Sequence, residues 1–166
     1  MENKFSEGLT KVFKQSKSEA KRLHSEFLST EHFLLGIIQT DNSAKEILEN
    51  LQADLTQIRR KIENMNVNTN PFSEEKENIS FTKLADYAVK RADLECRQYK
   101  TTEVNTVHLL LGILYKMEDP ATNILGAYDV DYESVSKEYQ ALLKNSGQLP
   151  KSSAYDDDEE REEYSQ

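Results

Sequence analysis

The side chains of this chain that could do chemistry are few, and two histidines stand out. His32 and His108 are 76 residues apart, and each follows a threonine by two positions and precedes an apolar run. A hydrolase or a metal site needs a nucleophile or further ligands at a defined spacing, and the sequence has no HExxH, CxxC or GxSxG pattern. We therefore predict no catalytic residue and no metal site. A buried imidazole must be hydrogen-bonded, so each histidine is interpreted as a core residue that secures the start of a helix.

The cysteine and the glycines argue against redox and nucleotide chemistry. Cys96 is the single cysteine, so no internal disulfide can form, and a reducing, cytoplasmic location is expected. None of the five glycines begins a Gly-x-x-x-x-Gly-Lys-Ser/Thr phosphate loop. Gly36 and Gly112 lie inside the apolar runs, where glycine costs a helix on the order of 1 kcal/mol relative to alanine. We predict that they allow helices to approach closely across a pseudo-twofold axis.

The residues described so far belong to a pattern that occurs twice. The segment 29–38 returns at 105–114 with the threonine, the histidine, two leucines and the glycine in register. Two copies of this length predict two packed repeats. Thr30 and Thr106 are predicted to cap the first turn of a helix through their hydroxyls. The apolar residues that follow leave almost no polar face, which predicts short buried helices.

Helical periodicity continues through the rest of both copies. We predict an all-α fold of eight helices, arranged as two four-helix repeats related by a pseudo-twofold axis. No segment shows a convincing strand pattern, so no strand is expected. The predicted organisation is a first repeat over residues 1–64, a linker over 65–79, a second repeat over 80–144 and a disordered acidic tail over 145–166.

The formal net charge of −9 is concentrated toward one end of the chain. Residues 151–166 carry seven carboxylates against two cations, and the body of the chain is only mildly acidic. The sequence shows no basic stripe of the kind that nucleic-acid binding needs, so no nucleic-acid partner is expected. No apolar run could span a membrane and no signal peptide is recognisable, so we expect a soluble, monomeric chain without a membrane partner.

The doubled Thr-Glu-His-x-Leu-Leu-Gly pattern, followed by an Ala-x-x-Ile-Leu type helix and an Asp-capped helix, resembles the Clp N-terminal domain over about residues 5–143. This is the double Clp-N repeat of the Hsp100 unfoldases, and the likeness is greatest to the ClpC type. The resemblance implies a non-catalytic module that receives adaptor proteins and substrate proteins for an AAA+ unfoldase, which works with a Clp peptidase in protein quality control. It also implies that ATP and Mg²⁺ belong to ATPase modules of a longer, hexameric parent chain, and that this chain itself holds no cofactor.

The resemblance further implies a site for phosphoarginine, at the glutamate of each Thr-Glu-His motif. Carried over by position, the first copy offers Ser6 with Glu31, and the second offers Thr82 with Val107. A helix start with a hydroxyl can hold the phosphate, and a carboxylate can hold the guanidinium. Valine cannot balance a guanidinium, so one strong site is expected, at Ser6 and Glu31. The alternative is that Glu31 only favours the positive end of its helix.

Two other functions stay open on the sequence alone. The first is a free-standing regulator of the Clp-N type that docks on a Clp complex and has no ATPase of its own. A Walker A motif encoded downstream of Gln166 would exclude it. The second is a small hydrolase that uses His32 or His108, which a screen of the purified chain for turnover would test.

Overall fold

The structure is a computed structural model that describes residues 4–65, 79–115 and 119–146. Most of the predicted linker, residues 66–78, and most of the predicted acidic tail, residues 147–166, lie outside the described residues. Residues up to Ser136 form one compact unit, and Lys137 begins a second. The described residues contain eight helices, which confirms the predicted all-α fold: α1 Glu7–Arg22, α2 Thr30–Gln39, α3 Ser43–Asn50, α4 Leu55–Met65, α5 Lys83–Gln98, α6 Thr106–Leu114, α7 Pro120–Gly126 and α8 Tyr132–Ser146.

The two repeats share their backbone turns as well as their sequence pattern. His24, after α1, and Lys100, after α5, both have φ of 57°. Gln52, after α3, and Asp129, after α7, have φ of 66° and 59°. A residue in the left-handed region commonly closes the last turn of a helix. The helices of both repeats therefore end in the same way, at equivalent positions.

The short helices α2 and α6 form the centre of their repeats. All nine residues of α6 are buried, and so are eight of the ten residues of α2. The predicted short buried helices are thereby confirmed. The amphipathic helix α1 covers α2, and α5 covers α6. Both covering helices contribute small or aliphatic side chains to these contacts, including Leu9, Val12, Ala85 and Ala88.

The expectation that no strand would form is wrong, because four two-residue strands join the repeats. They are β1 Lys4–Phe5, β2 Phe27–Leu28, β3 Ser80–Phe81 and β4 Glu103–Val104. β1 of the first repeat pairs in parallel with β4 of the second, and β3 of the second pairs in parallel with β2 of the first. The exchange is reciprocal, so each repeat is completed by an arm of the other. Strands this short carry no detectable alternation, and the helical pattern around them gives no hint of the pairing.

The caps of the buried helices lie one residue earlier than predicted. Ser29 is the N-cap of α2 and Asn105 is the N-cap of α6, where its Oδ1 accepts two first-turn N–H groups at 2.9 and 3.1 Å. Thr30 and Thr106 are instead the first helical residues. Serine and asparagine are among the strongest N-cap residues, which accounts for the difference. The threonine hydroxyls are left to bond elsewhere.

Both threonine hydroxyls connect the two repeats. Thr106 Oγ1 accepts a hydrogen bond from the backbone N–H of Ala44, in the first turn of α3, at 3.2 Å. The hydroxyl of Thr30 bonds to the carboxylate of Asp119, the N-cap of α7. Each buried helix therefore begins against the start of a helix in the other repeat. These bonds add a second link to the strand exchange.

The two helix glycines do permit a close approach, but not across the pseudo-twofold axis as predicted. A Cβ at Gly36 would lie 2.6 Å from the carbonyl oxygen of Val12, and one at Gly112 would meet the carbonyl oxygen of Ala88. Val12 is on α1 and Ala88 on α5, so both contacts lie within a single repeat. The glycines fix how closely each covering helix approaches the buried helix beneath it.

This geometry predicts the effect of filling the glycine positions. Gly36→Ala and Gly112→Ala should each lower the free energy of unfolding by about 1–3 kcal/mol, the usual cost of overpacking a core, measured by urea denaturation. Gly126→Ala is the matched control. Apart from its chain neighbours and the backbone of its own helix, no atom of the described residues lies within 4 Å of the position that a Cβ would take. It should leave stability unchanged or slightly raised, since alanine favours a helix. Equal losses in all three variants would contradict this account.

The strand exchange also predicts that the repeats unfold together. A fragment that ends at Asn64 keeps β1 and β2 but loses their partners, β4 and β3. We expect it not to fold, whereas the whole chain should melt in one transition with coincident far-ultraviolet circular dichroism and tyrosine fluorescence. A fragment with a cooperative melt of its own would show that the exchange is dispensable.

Candidate functional site

The hydroxyl residues predicted for the site cap two equivalent helices. Ser6 is the N-cap of α1, and its Oγ accepts a hydrogen bond from Leu9 N at 3.1 Å. Thr82 is the N-cap of α5, and its Oγ1 accepts from Ala85 N at 3.1 Å. Both residues are half-buried. Each helix start also has first-turn N–H groups that an α-helix leaves without intrahelical partners, which makes it a place where an anion can bind.

The strand exchange bonds each capped helix start to a strand of the other repeat. The backbone N–H of Ser6 donates to Val104 O at 2.8 Å, so Ser6 lies beside the strand that leads into α6. The N–H of Thr82 donates to Leu28 O at 3.0 Å, so Thr82 lies beside the strand that leads into α2. The expected pairs, Ser6 with Glu31 and Thr82 with Val107, assumed that each site forms within one repeat. In the structure Ser6 is bonded to the strand that precedes the helix start of Val107, and Thr82 to the strand that precedes that of Glu31.

The site at Thr82 combines a cationic and an anionic edge. Lys83 follows Thr82 in the first turn of α5 and is exposed. Glu31, in the first turn of α2, is half-buried. Its charge acts on Asp119, a carboxyl that is only 5% exposed. Burial is the largest cause that raises the pKa of Asp119, the negative charge of Glu31 raises it further, and hydrogen bonds from Thr122 and Thr30 oppose both effects.

The site at Ser6 lacks this acidic edge. Val107 occupies the position equivalent to Glu31, and its side chain is fully buried. Thr106 beside it already accepts a hydrogen bond from Ala44. This helix start therefore offers N–H groups and a hydroxyl but no carboxylate from the second residue of α6. The two sites differ in the charge that they present to a ligand.

The two histidines close the first turns of the buried helices. Ser29 N donates to His32 Nδ1 at 3.0 Å, and Asn105 N donates to His108 Nδ1 at 2.9 Å. An Nδ1 that accepts a hydrogen bond belongs to a neutral ring protonated on Nε2. Burial lowers the pKa of both imidazoles, that of His108 to about 4. The charges of Glu31 and Glu19 partly oppose this effect at His32.

The surroundings of His32 do not match a catalytic triad. Ser29 Oγ lies 3.0 Å from His32 Nδ1, but in a triad the other ring nitrogen is oriented by a carboxylate. His32 Nε2 is buried and has no hydrogen-bond partner in the part of the chain that the structure describes. Cys96 is also buried, with its sulfur 3.3 Å from Thr101 O. The hydrolase hypothesis therefore gains no support.

An exposed aromatic cluster between the repeats was not among the predicted site residues. The rings of Phe5 and Phe13 are 5.3 Å apart, Phe13 and Phe81 6.4 Å, and Phe33 and Phe81 5.6 Å. Phe5 and Phe81 are equivalent residues that stand just before the two hydroxyl caps, and they are 43% and 37% exposed. The repetition of a phenylalanine before each cap was visible in the sequence, but its exposure depends on the strand exchange.

Fold and site together define a two-repeat helical domain with ligand-accessible helix starts at the junction of its repeats. The family model of the Clp repeat (R) N-terminal domain matches residues 4–128, and the chain belongs to this family. The family domain is a non-catalytic part of a family of ATPases. Within the described residues, no helix has the length and apolar character needed to cross a membrane.

Relatives of known sequence support the same assignment. A probable ATP-dependent Clp protease ATP-binding subunit of Chlamydia pneumoniae is 32% identical over 155 residues, which cover 92% of this chain and 18% of that protein. The chaperone protein ClpB of Oceanobacillus iheyensis is 28% identical over 145 residues, or 86% of this chain and 17% of that protein. The chain thus spans less than a fifth of the length of these relatives.

Solved structures show the same fold at lower identity. The Hsp104 N-terminal domain of Candida albicans has a TM-score of 0.70 and 17% identity, covering 88% of this chain and 93% of that one. A complex of the ClpV N-domain with a VipB peptide has a TM-score of 0.66 and 15% identity, covering 86% and 88%. The ClpV domain in that complex binds a peptide of a partner protein.

The buried histidines predict a loss of stability in mild acid. The fold favours the neutral imidazole, so a histidine with a lowered pKa costs stability as the pH falls from its unfolded value of 6.5 toward its folded value. A shift to about 4 for His108 corresponds to roughly 3 kcal/mol, lost between pH 6.5 and 4. His108→Gln should flatten the decline in this window while keeping a side-chain acceptor at the third helical residue, as in a capping box.

The measurement is urea denaturation of both proteins at several pH values between 7 and 4. Lys100→Gln serves as the control, because it introduces the same residue type at an exposed position. Parallel pH profiles for the wild type and His108→Gln would show that His108 does not cause the acid sensitivity.

Proposed function

We propose that this chain is the N-terminal adaptor- and substrate-binding domain of a ClpC-type AAA+ unfoldase, which works with a Clp peptidase in protein quality control. The proposal includes a hexameric parent protein whose ATPase modules bind ATP and Mg²⁺. The observation that carries it is the reciprocal strand exchange in a domain of the Clp family. This exchange bonds the capped start of α5 to the strand that leads into α2, whose first turn carries the half-buried Glu31.

We further propose that Thr82 and Glu31 receive the side chain of phosphoarginine. The first turn of α5 supplies the hydroxyl of Thr82 and N–H groups of Lys83 and Leu84, which are suited to a phosphate. The exposed ammonium of Lys83 adds a positive charge at the same end. Glu31 supplies a carboxylate for the guanidinium, whose planar donors suit a carboxylate well.

The second carboxylate favours a cation at this place. Asp119 and Glu31 lie close enough for the charge of Glu31 to raise the pKa of Asp119. The charge of Glu31 disfavours the ionisation of Asp119, and an opposite charge bound at Glu31 would offset that effect. A guanidinium at Glu31 would therefore relieve a repulsion that is present in the free domain. The site at Ser6 has no such carboxylate, because Val107 is there instead.

Calorimetric titration with free phosphoarginine tests this proposal. The wild type should bind one equivalent. Glu31→Gln removes a charge-assisted contact worth about 1.5–3 kcal/mol and should weaken binding by roughly one to two decades. Free arginine and phosphoserine, each of which lacks half of the ligand, should bind much more weakly than phosphoarginine.

A matched pair of cap variants distinguishes the composite site from one within a single repeat. Ser6→Ala and Thr82→Ala remove equivalent N-cap hydroxyls, and each should lower stability by about 1 kcal/mol. Only Thr82→Ala should weaken phosphoarginine binding. Loss of binding in Ser6→Ala alone would return the site to Ser6, and two equal sites in the wild type would refute the asymmetry. No binding at all would leave Glu31 with a role in its own helix only.

A further inference from the structure

The exposed face of α5 is electrically balanced by ion pairs within the helix. Lys90 Nζ lies 2.9 Å from Asp86 Oδ2, and an Nη of Arg97 lies 2.8 Å from Asp93 Oδ2. Each pair spans four residues, so the partners lie on one face of the helix. Two cations and two anions therefore alternate along this side of the second repeat.

The four equivalent positions of α1 carry three positive charges and no negative charge. Thr10 stands where α5 has Asp86, and Lys17 stands where α5 has Asp93. Lys14 and Lys21 correspond to Lys90 and Arg97, but their acidic partners are missing. Within residues 4–65, 79–115 and 119–146, no ion pair engages Lys14, Lys17 or Lys21. Like charges one turn apart destabilise a helix, so this stripe opposes the stability of α1.

The lysine stripe begins beside the aromatic cluster. Phe13 and Lys17 are four residues apart on α1 and therefore share a face. Phe13 in turn contacts the exposed rings of Phe5 and Phe81, from the two exchanged strands. Apolar and basic groups thus form one continuous surface, which we call the aromatic–lysine surface and which comprises Phe5, Phe13, Lys14, Lys17, Lys21 and Phe81.

We propose that the aromatic–lysine surface docks a peptide segment of a partner protein in which aromatic or large aliphatic side chains are followed by acidic residues. The proposal rests on the proposed function of receiving adaptors and substrates, and it adds a partner chemistry at a place other than Thr82 and Glu31. Exposed rings bury apolar side chains of the partner, and the lysines meet its carboxylates. A nucleic acid fits less well, because the chain as a whole carries a net charge of −9 and would repel it.

The test uses the whole purified chain and three fluorescent peptides. The first has two phenylalanines followed by four glutamates on a serine background. The second has glutamine in place of glutamate, and the third has serine in place of phenylalanine. The first peptide should bind at least about tenfold more tightly than either of the others, because exposed ion pairs contribute modestly and add up. Its advantage over the glutamine peptide should disappear at high salt.

The chain itself suggests the matched variant. Thr10→Asp with Lys17→Asp copies the balanced ion pairs of α5 onto α1 without touching a ring. It should reduce binding of the acidic peptide to the level of the glutamine peptide, with unchanged circular dichroism and a melting temperature that is unchanged or higher, because the repulsion within α1 is removed. Lys90→Gln on α5 removes one positive charge from the equivalent face and should leave binding within about twofold of the wild type. Phe81→Ser should weaken both phenylalanine peptides.

Each other outcome overturns the proposal in a recognisable way. Equal affinity for the acidic and glutamine peptides would show that the lysine stripe does not contribute to binding, although the aromatic rings could still bind a peptide. Tighter, lysine-dependent binding of a duplex oligonucleotide would assign the stripe to nucleic acid. A concentration-dependent dimer that Phe81→Ser abolishes would assign the rings to a second copy. Failure of all three peptides, with phosphoarginine still bound, would overturn only this surface.

Discussion

The reciprocal pairing of four very short strands is the constraint on which the rest of this structure depends. β1 lies against β4 and β3 lies against β2, so the arm before each first helix belongs structurally to the other repeat. The hydrogen bonds from Ser6 to Val104 and from Thr82 to Leu28 then fix where α1 and α5 begin. The same few hydrogen bonds that join the repeats therefore also position the two helix starts of the proposed sites.

Most of the fold could be predicted because patterns between residues that are close in the sequence specify it. Helical periodicity and the repeated threonine, histidine and glycine positions indicated eight helices in two copies, and the burial of α2 and α6 followed from their lack of a polar face. The strands could not be predicted, since two residues cannot show alternation and their partners lie far away in the chain. The caps were misplaced by one residue because Ser29 and Thr30 are both capping residue types, and only the backbone shows which of them precedes the helix.

The sequence names the residues of the candidate site, but it does not show which of them lie close together. Ser6, Glu31, Thr82 and Val107 were each found from the doubled pattern, which carries positions from one copy to the other. Which capped helix start lies beside which strand is a long-range property, and it depends on the strand pairing between the repeats. The aromatic cluster was missed for the same reason. Phe5 and Phe81 are distant in sequence, and they approach Phe13 from opposite arms only after the strands have paired.

Burial explains why the repeats agree inside and differ outside. Glu19 and Glu95 are equivalent and almost fully buried, and each must be paired because an unpaired buried charge is costly. Glu19 is bound by Arg22, and Glu95 is bound by Arg91 and by the hydroxyl of Tyr132. The residues that bind the carboxylate therefore differ between the repeats, but both buried carboxylates are paired.

No such requirement acts on exposed positions such as the equivalent residues Glu7 and Lys83, and their charges are opposite. Because the strands are exchanged, each proposed site combines one helix start from each repeat. Exchanging glutamate for valine at the second position of α6 alters the Ser6 site alone and leaves the Thr82 site complete. The two helix starts therefore present different charges, although equivalent strands and caps position both.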